Sequence, residues 1–301
     1  MTSRSDRLAL LETFVRIAER NSLSAAARDL GTSQPSVSRQ LAALEARLGV
    51  VLVRRTTHDA TLTPDGLALL ADARRLIGEW DAIAERYADD DTLTGKIRVI
   101  APVALGQSLF IQAASRFLKE HPGVTIDWRL RDDPIRFAEE GCDCWLKVGP
   151  VPDDTLVVRE LARVERLVVA TPACRDAYEA TDLEAWPWLT LGPFEGSRIE
   201  LWDETGAAQA FSVAPKLASD NIFAVREAVV QGVGVAIMPH WFVAQHLRAG
   251  TLVDAAPGFR AQRLPVNLAL AAGTRRPARV EQFCACMQSW CRDNLGPAPQ
   301  D

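Results

Sequence analysis

The sequence has no segment that would place the protein in or across a membrane. No apolar run in its 301 residues approaches the ~18 residues that a membrane-spanning helix needs. The first residues, MTSRSDRLALLETF, contain no uninterrupted apolar core and no small-residue cleavage site, so we expect no signal peptide. These absences predict a cytoplasmic protein with no membrane partner. The six cysteines are then expected to be reduced thiols.

Residue arrangements typical of catalysis or metal binding are also absent from the sequence. The four histidines have no ligand spacing, and no Gly-x-Ser-x-Gly segment or Ser/His/Asp arrangement occurs. The glycines of QGVGVAIMP follow a predicted helix and precede a predicted strand, which reverses the order in a dinucleotide-binding loop. We therefore predict that the protein is not an enzyme and has no catalytic residue, metal ligand or cofactor.

Positive charge is scarce over the chain as a whole but not at its N-terminus. The net charge of −5 argues against a polyanion-binding surface over the whole protein. Residues 1–66 contain nine arginines against seven acidic residues, a net charge of about +2. The sequence therefore allows one small basic module rather than a basic protein.

The cysteines form two Cys-x-Cys pairs, 142/144 and 284/286, with two further single residues. Cys142 and Cys144 fall on one face of a predicted strand, and Cys284 and Cys291 share the apolar stripe of the last predicted helix. Cysteine is among the residues most often buried, so these positions favour core packing. A redox or metal sensor is the alternative, although no spacing here matches a known zinc site.

The first 60 residues have the periodicity of a small helical module. After a first amphipathic helix, SLSAAARDLG predicts a short second helix with Ser24 as its N-cap. Ser33 is the predicted N-cap of a third helix, and a short turn containing Gly31 joins the two. Two helices joined in this way are the helix-turn-helix pattern. Short β-type runs at residues 50–54 and 60–62 then predict a two-stranded wing.

The third predicted helix, SQPSVSRQLAALEARLG, has an apolar stripe (Val37, Leu41, Leu44, Leu48) and an outer face of short polar residues. A helix in the DNA major groove, which is ~12 Å wide, meets base edges and phosphates near its N-terminal turn, where acidic side chains would be repelled. An ordinary surface helix is the alternative interpretation. The predicted DNA-binding residues are Gln34, Pro35, Ser36, Ser38, Arg39, Arg54 and Arg55.

From residue 63 the apolar spacing changes to the 3.5-residue repeat of a coiled coil. A lone helix cannot bury such a surface, so a second copy of the chain is the predicted partner. The predicted dimerisation residues are Leu69, Leu76, Trp80 and Ile83. The acidic segment ADDDTLTG, residues 88–95, is the predicted hinge. After it, strand and helix patterns alternate to the end of the chain, which indicates an α/β fold.

These segments make the chain resemble the LysR-type transcriptional regulators over essentially its full length. The matching stretches are LSAAARDLGTSQPSVSRQLAALEARLGVVLVRRTTHDATLTPDG, then IRVIAPVALGQ with FLKEHPGVTIDWRL and FAEEGCDCWLKVG, and VREAVVQGVGVAIMPHWF. The resemblance implies an all-α winged helix-turn-helix domain (residues 1–63), a dimerising linker helix (64–91) and an α/β effector-binding domain (92–301). The last domain would consist of two Rossmann-like subdomains, similar to a periplasmic binding protein.

The resemblance also implies where an effector binds. Half I of the effector-binding domain would comprise residues 92–162 and 267–301, and half II residues 163–266, with crossings near 161–166 and 263–267. Ligands of this architecture lie between the halves, at strand ends and helix N-termini. The predicted effector-binding residues are Pro102, Val103, Ala104, Lys147, Val148, Gly149, Leu191, Gly192, Ser219, Asp220 and Asn221. Lys147 replaces the arginine frequent in the family, which leaves the effector's identity open.

The function implied by the resemblance is sequence-specific regulation of bacterial transcription, with DNA binding or bending modulated by a small molecule. A regulator of the same architecture that senses redox state through cysteines is the alternative. A competing class, an enzyme or solute-binding protein with a fused helical module, would need a catalytic arrangement or a secretion signal. The expected partners are double-stranded DNA with a dyad-symmetric site, an organic-acid effector, a second copy of the chain in a dimer or tetramer, and RNA polymerase.

Overall fold

The computed structural model describes residues 7–55, 60–85, 87, 93–178, 182–192, 198–273 and 276–295. The helices are α1 (Arg7–Arg20), α2 (Leu23–Asp29), α3 (Gln34–Leu48), α4 (Pro64–Glu85), α5 (Val103–Ser108), α6 (Phe110–Glu120), α7 (Phe137–Glu140), α8 (Pro172–Tyr178), α9 (Ile222–Val230), α10 (His240–Ala249) and α11 (Ala278–Leu295). The strands are β1 (Val53–Arg55), β2 (Ala60–Leu62), β3 (Gly95–Ala101), β4 (Val124–Leu130), β5 (Cys144–Val148), β6 (Leu156–Ala170), β7 (Leu189–Leu191), β8 (Arg198–Asp203), β9 (Ala208–Ser212), β10 (Leu217–Ser219), β11 (Ala236–Pro239), β12 (Val253–Asp254) and β13 (Phe259–Ala271). Among the described helices, none combines the length and the apolar character that a bilayer crossing requires.

The N-terminal module packs three helices around one core and ends in a two-stranded wing. Phe14 of α1 and Leu41 of α3 are fully buried in this core. The predicted cap of α3 is confirmed, because the Ser33 hydroxyl accepts a hydrogen bond from the Ser36 N–H at 3.4 Å. Strands β1 and β2 pair antiparallel, as predicted for the wing.

Three local predictions in this module were wrong. Ser24 lies inside α2, and the cap is Ser22, whose hydroxyl accepts a hydrogen bond from Ala25 N–H at 3.3 Å. Leu48 is 46% exposed, because the stripe of α3 passes beyond the core at its last turn. The first wing strand begins at Val53 rather than residue 50, and at this point Glu45 Oε1 accepts the N–H groups of Leu52 and Val53.

A mixed β-sheet connects most of the remaining strands, in the main order β11-β6-β13-β5-β3-β4, while β7 and β10 pair in parallel as a separate two-stranded sheet. Strand β3 pairs in parallel with β4 and β5, and β13 pairs antiparallel with β5 and β6. We call β3–β5 with α5–α7 and α11 half I, and β7–β12 with α8–α10 half II. Strands β6 and β13 run through both halves, and they contain the two crossing segments predicted at 161–166 and 263–267.

Each half has its own hydrophobic core. In half I, Phe117 of α6 packs edge-on against Phe283 of α11, with 5.4 Å between ring centroids, over buried β3 residues such as Val99. In half II, Trp188 packs against the sheet in one cluster, and Val229 and Val243 pack in another. The predicted fold class, an N-terminal winged helix-turn-helix followed by an α/β domain of two subdomains, is confirmed.

The N-terminal module and α4 lie directly on half I. Arg98 of β3 forms an ion pair with Glu19 of α1 at 2.9 Å. Arg279 at the start of α11 pairs with Asp81 of α4 at 2.8 Å. A third contact runs from Arg74 of α4, whose Nη1 donates to the Glu139 carbonyl at 2.6 Å. These contacts tie the N-terminal module to half I of the same chain.

Candidate functional site: nucleic-acid interface and cleft

The first turn of α3 presents short side chains and backbone N–H groups to the surface. Gln34, Pro35 and Arg39 are exposed, whereas Ser36 and Ser38 are half-buried. No acidic residue lies in this turn, and Arg39 Nε donates to the Pro35 carbonyl at 3.4 Å. A surface of this composition suits a phosphate or a base edge.

The wing lies beyond the end of α3 and carries the two remaining predicted DNA-binding residues. Arg54 is exposed and is paired across the wing with Thr61. Arg55 is paired with Ala60 through the backbone, and its side chain lies outside the described residues. The structure therefore places Arg54, with the polar face of α3, on the surface of the N-terminal module.

The predicted apolar surface of α4 divides into two parts. Leu69 is half-buried against the core of the N-terminal module of its own chain. Leu76, Trp80 and Ile83 are 42%, 53% and 38% exposed. Leu67 is also exposed, at 43%, but it lies nine residues before Leu76 and therefore on the opposite face of α4. The exposed part of α4 is an apolar surface that the described residues of the chain do not cover.

A cleft of about 450 Å³ lies between half I and half II. Its walls come from the carboxyl ends of β3, β4 and β5 on one side and from half II on the other. Five of the eleven predicted effector-binding residues line it, namely Pro102, Ala104, Lys147, Val148 and Leu191. Residues selected because they lie at strand ends therefore do line the cleft between the halves.

The other six predicted residues are not among those that line the cleft, and most of them form hydrogen bonds beside it. Val103 N–H donates to Asp132 Oδ1 at 3.0 Å, and the Gly149 carbonyl accepts from Asn267 at 2.9 Å. Gly192 N–H donates to the Ser219 carbonyl at 2.9 Å. Asp220 precedes Asn221, which caps α9 by accepting the Phe223 N–H at 2.9 Å. The N-terminus of α9 thus already has a partner for one of its free N–H groups.

Sequence reasoning missed several polar residues of the cleft. These are Arg131, Asp132, Thr190, Arg166, Arg198 and Trp241. Arg131 and Asp132 directly follow β4, so the strand-end rule that selected Pro102 would also have selected them. Arg166 lies at the end of a predicted crossing segment. Trp241 follows the end of β11 and lies in the first turn of α10, so the same rule could also have selected it. For Arg198 the sequence carries no signal, because only the packing of half II brings it to the cleft.

The cleft has more positive than negative charge. Four cationic side chains line it (Arg131, Lys147, Arg166, Arg198) against the single carboxylate of Asp132. Hydrogen bonds from Arg131 to Asp133 and Glu140 raise the pKa of Arg131. Burial lowers the pKa of Arg166. The remaining lining is mostly apolar, including Ile199, Ile237 and Leu264.

The cysteines lie mainly in the core. Cys142, Cys144, Cys284 and Cys291 are buried, and all six thiols are free. Burial raises the pKa of Cys142 and of Cys291 to about 12. In the part of the chain that the structure describes, no group of three or more His, Cys, Asp or Glu side chains could hold a metal ion.

Two family models match the chain. "LysR substrate binding domain" matches residues 90–292, and "Bacterial regulatory helix-turn-helix protein, lysR family" matches residues 8–67. Among relatives, the chain is 30% identical over 286 residues to the uncharacterized HTH-type transcriptional regulator YhjC of Escherichia coli, covering 92% of this chain and 95% of YhjC. It is 28% identical over 294 residues to the HTH-type transcriptional regulator PtxR of Pseudomonas aeruginosa, covering 96% and 93% of the two chains.

Solved structures show the same fold. Full-length LysG from Corynebacterium glutamicum, described with bound effector Arg, has a TM-score of 0.68 at 21% identity and covers 97% of this chain and 100% of its own. A full-length OxyR variant from Pseudomonas aeruginosa has a TM-score of 0.71 at 19% identity, with 93% and 97% covered. With both domains matched, the chain belongs to the LysR family of transcriptional regulators, a family of DNA-binding proteins that are not enzymes.

Proposed function

We propose that this regulator binds a dyad-symmetric DNA site as a dimer or tetramer and responds to a small organic acid in the cleft between half I and half II. The observation that carries the proposal is that the cleft has more cationic than acidic side chains and is otherwise lined mostly by apolar residues. Such a lining fits a ligand with an anionic group and an apolar body. LysG, which shares the fold, is described with a bound small-molecule effector.

Cationic residues line the cleft from both halves. Lys147 comes from β5 of half I, and Arg198 comes from the start of β8 in half II. Without an anion, these like charges disfavour the approach of the two halves. An acid that contacts both would favour the closed arrangement by its differential affinity for it. Since β6 and β13 are the segments that cross between the halves in the described part of the chain, a hinge motion between the halves meets little covalent resistance.

The contacts of the N-terminal module suggest how closure would reach DNA. Glu19 of α1 and Asp81 of α4 form ion pairs with half I, so half I and the module of one chain would move together. Closure would then change the position of half II relative to this unit. In a dimer held through α4, the angle between the α3 helices of the two copies would then change.

Redox sensing gains little support from the thiols. The thiolate is the reactive form of cysteine, and burial raises the pKa of Cys142 and Cys291 far above that of a free thiol. Cys284 is the exception, because the hydrogen bond from Cys144 lowers its pKa, yet both residues lie inside the half I core. A diffusible acid in the cleft is therefore the mechanism that the structure favours.

A thermal-shift screen tests this proposal. Small organic acids and their neutral amides are compared on the wild type and on Lys147→Ala at constant ionic strength. We expect acids, but not amides, to raise the melting temperature of the wild type, and the increase to shrink in Lys147→Ala. Acids that stabilise should also change the mobility of the protein–DNA complex. Stabilisation by cationic compounds alone, or a full response in Lys147→Ala, would contradict the role of Lys147 and of the anion.

A further inference from the structure

The guanidinium of Arg74, on α4, rests on half I at a place where the backbone has no side chain. A Cβ built on Gly141 would lie 2.0 Å from Arg74 Cζ and 2.2 Å from its Nε. Gly141 is the C-cap of α7, with a φ of 62° that glycine adopts without strain. Arg74 Nη1 also donates to the Glu139 carbonyl at 2.6 Å. We call this seat, formed by Gly141 and the Glu139 carbonyl, the Arg74 notch.

The Arg74 side chain is held weakly in this notch. Burial lowers the pKa of Arg74, because a cation taken out of water loses hydration. Its Nε is buried without a hydrogen-bond partner among the described residues. In the described part of the chain, one backbone acceptor and the shape of the notch therefore hold the guanidinium. A small change in the shape of the notch is enough to release such a side chain.

The same short helix, α7, is also tied to the cleft. Glu140 forms an ion pair with Arg131, which follows β4 and lines the cleft. At the other end of α7, Phe137 is buried in a small core with Trp145. Glu140 directly precedes Gly141, so the residue that pairs with the cleft arginine adjoins the glycine beneath Arg74. One turn of chain therefore contacts both the cleft wall and α4.

We propose that α7 and Gly141 transmit the state of the cleft to α4. The Arg131–Glu140 ion pair holds the notch in the shape that seats Arg74, and an anion that binds Arg131 in the cleft releases it. A carboxylate ligand and Glu140 compete for the same guanidinium donors. Glu140 and Arg74 are then positioning residues for the DNA-binding module, which contact neither ligand nor DNA. The inference rests on the proposed function and names the route of its regulation.

Release of Arg74 would tilt the N-terminal module without detaching it. The ion pairs of Glu19 with Arg98 and of Asp81 with Arg279 do not involve α7, so they would remain. Asp81 lies about 10 Å along α4 from Arg74, since each residue of a helix rises by ~1.5 Å. The helix would be held near Asp81 and free near Arg74. In a dimer, the distance between the two α3 helices would change with this tilt.

The first test follows the reactivity of Cys142 in the full-length protein without ligand. Cys142 directly follows Gly141, and it lines the same cavity between α4 and half I as Arg74. Burial raises the pKa of its thiol to about 12, so iodoacetamide at pH 8 reacts slowly with the wild type. The variants Gly141→Ala, Arg74→Leu and Glu140→Gln should each speed its labelling about fivefold or more, because release of Arg74 exposes the thiol. Wild-type rates in Arg74→Leu and Glu140→Gln would overturn the proposal.

Two control variants separate release of Arg74 from other effects. Gly250→Ala introduces a similar left-handed alanine at the end of α10, where a Cβ meets nothing within 4 Å. Glu139→Gln removes the neighbouring carboxylate, which pairs with Arg136 on the surface, and keeps the carbonyl that accepts from Arg74. Both controls should label as the wild type does. Equal acceleration in Glu139→Gln and Glu140→Gln would refute the role of the Arg131–Glu140 pair.

A double variant shows whether Glu140 acts through Arg74 or only loosens its surroundings. In Arg74→Leu the notch is already empty, so the addition of Glu140→Gln should leave the labelling rate of Cys142 unchanged. Two accelerations that multiply in the double variant would mean that the two residues act independently, and would overturn the proposal. Since Arg74→Leu leaves the backbone of α7 unaltered, this comparison decides the proposal even where Gly141→Ala fails to fold.

The tilt is measured on DNA. The site that the wild type selects from a random pool is compared with the same site carrying one base pair more or one fewer between its half-sites. Arg74→Leu and Glu140→Gln should change the preferred spacing, and Glu139→Gln should keep it. An unchanged preference in the first two variants would refute the tilt.

Addition of an acid separates this inference from the proposed function. An acid that stabilises the wild type in the thermal-shift screen should also speed the labelling of Cys142, and it should have no such effect in Arg74→Leu. Stabilisation without faster labelling would refute transmission through α7 and leave the cleft as the effector site. If no acid binds but the variants label as expected, the proposed function fails and the coupling of Glu140 to Arg74 stands.

Discussion

Arg98 of β3 and Glu19 of α1 form an ion pair at 2.9 Å in which the Glu19 side chain is 9% exposed and that of Arg98 23%. The backbone N–H of Arg98 also donates to Asp143 Oδ2 at 2.6 Å, so the strand is fixed at the same residue. β3 leads directly to Pro102, which lines the cleft. One short strand therefore connects the DNA-binding module with the candidate effector site.

Glu19→Gln should weaken the docking of the N-terminal module on half I. The variant removes the partner of Arg98 and also the ion pair of Glu19 with Arg16 inside α1, so we expect a loss of about 1–3 kcal/mol in the free energy of unfolding. Denaturant unfolding measures this loss. Glu120→Gln is the control, because Glu120 pairs with Arg116 on the exposed face of α6 and should have little effect. Equal stability of both variants would show that the pair does not hold the module.

Arg39→Ala and Gln34→Ala should lose specific operator binding while the fold stays intact. Both side chains are exposed at the first turn of α3, and a good bidentate base contact discriminates by ~1–3 kcal/mol. Mobility-shift titrations against specific and scrambled DNA measure the effect. Arg47→Ala, in the last turn of the same helix, is the control that removes an equal charge. If Arg47→Ala weakens binding as much as Arg39→Ala, the helix docks differently from our prediction.

Joint substitution of Leu76 and Ile83 by glutamate should produce monomers. Both side chains are exposed on α4, and a charge at each would have to be buried on assembly. Sedimentation velocity gives the oligomeric state. Ile111→Glu introduces a charge at an exposed apolar residue of α6 and should leave the oligomer unchanged. A wild-type sedimentation coefficient in the double variant would mean that other surfaces hold the assembly.

Alkylation should distinguish the thiols by burial. The pKa of Cys142 and Cys291 is about 12, so only about one thiol in ten thousand is ionised at pH 8 in the folded protein. We expect iodoacetamide at pH 8 to modify the half-buried Cys174 and Cys286 first and to reach the other two only after unfolding. Peptide mass spectrometry with and without urea measures this order. Rapid labelling of Cys142 in the folded protein would instead contradict this expectation and support a thiol sensor.

Local signals in the sequence correctly predicted structural features that depend on neighbouring residues. The Ser33 cap and the wing follow from the side chains beside them, and both are confirmed. The second cap was misplaced by two residues because Asn21, directly after α1, has a positive φ of 49°. This puts Ser22 in extended backbone next to the first turn of α2. No pattern of apolar residues marks such a turn.

Predictions that depend on distant packing succeeded only in part. The heptad spacing found the apolar face of α4, but whether Leu69 or Trp80 faces solvent depends on where the N-terminal module packs. The strand-end rule found one wall of the cleft. Arg166 and Trp241 reach it from a long central strand and from a helix of half II, and only the packing of the two halves brings them to one cavity.

The topology of β6 and β13 has a consequence for how such regulators diversify. Chain segments of half II lie within one continuous stretch between the two crossings, whereas half I is built from the sequence on both sides of it. A single recombination event that exchanges roughly residues 163–266 would therefore replace one wall of the cleft. The operator-reading module, docked on half I through Glu19 and Arg98, would stay in place. We expect chimeras made at these junctions to acquire new inducers while they keep their target genes.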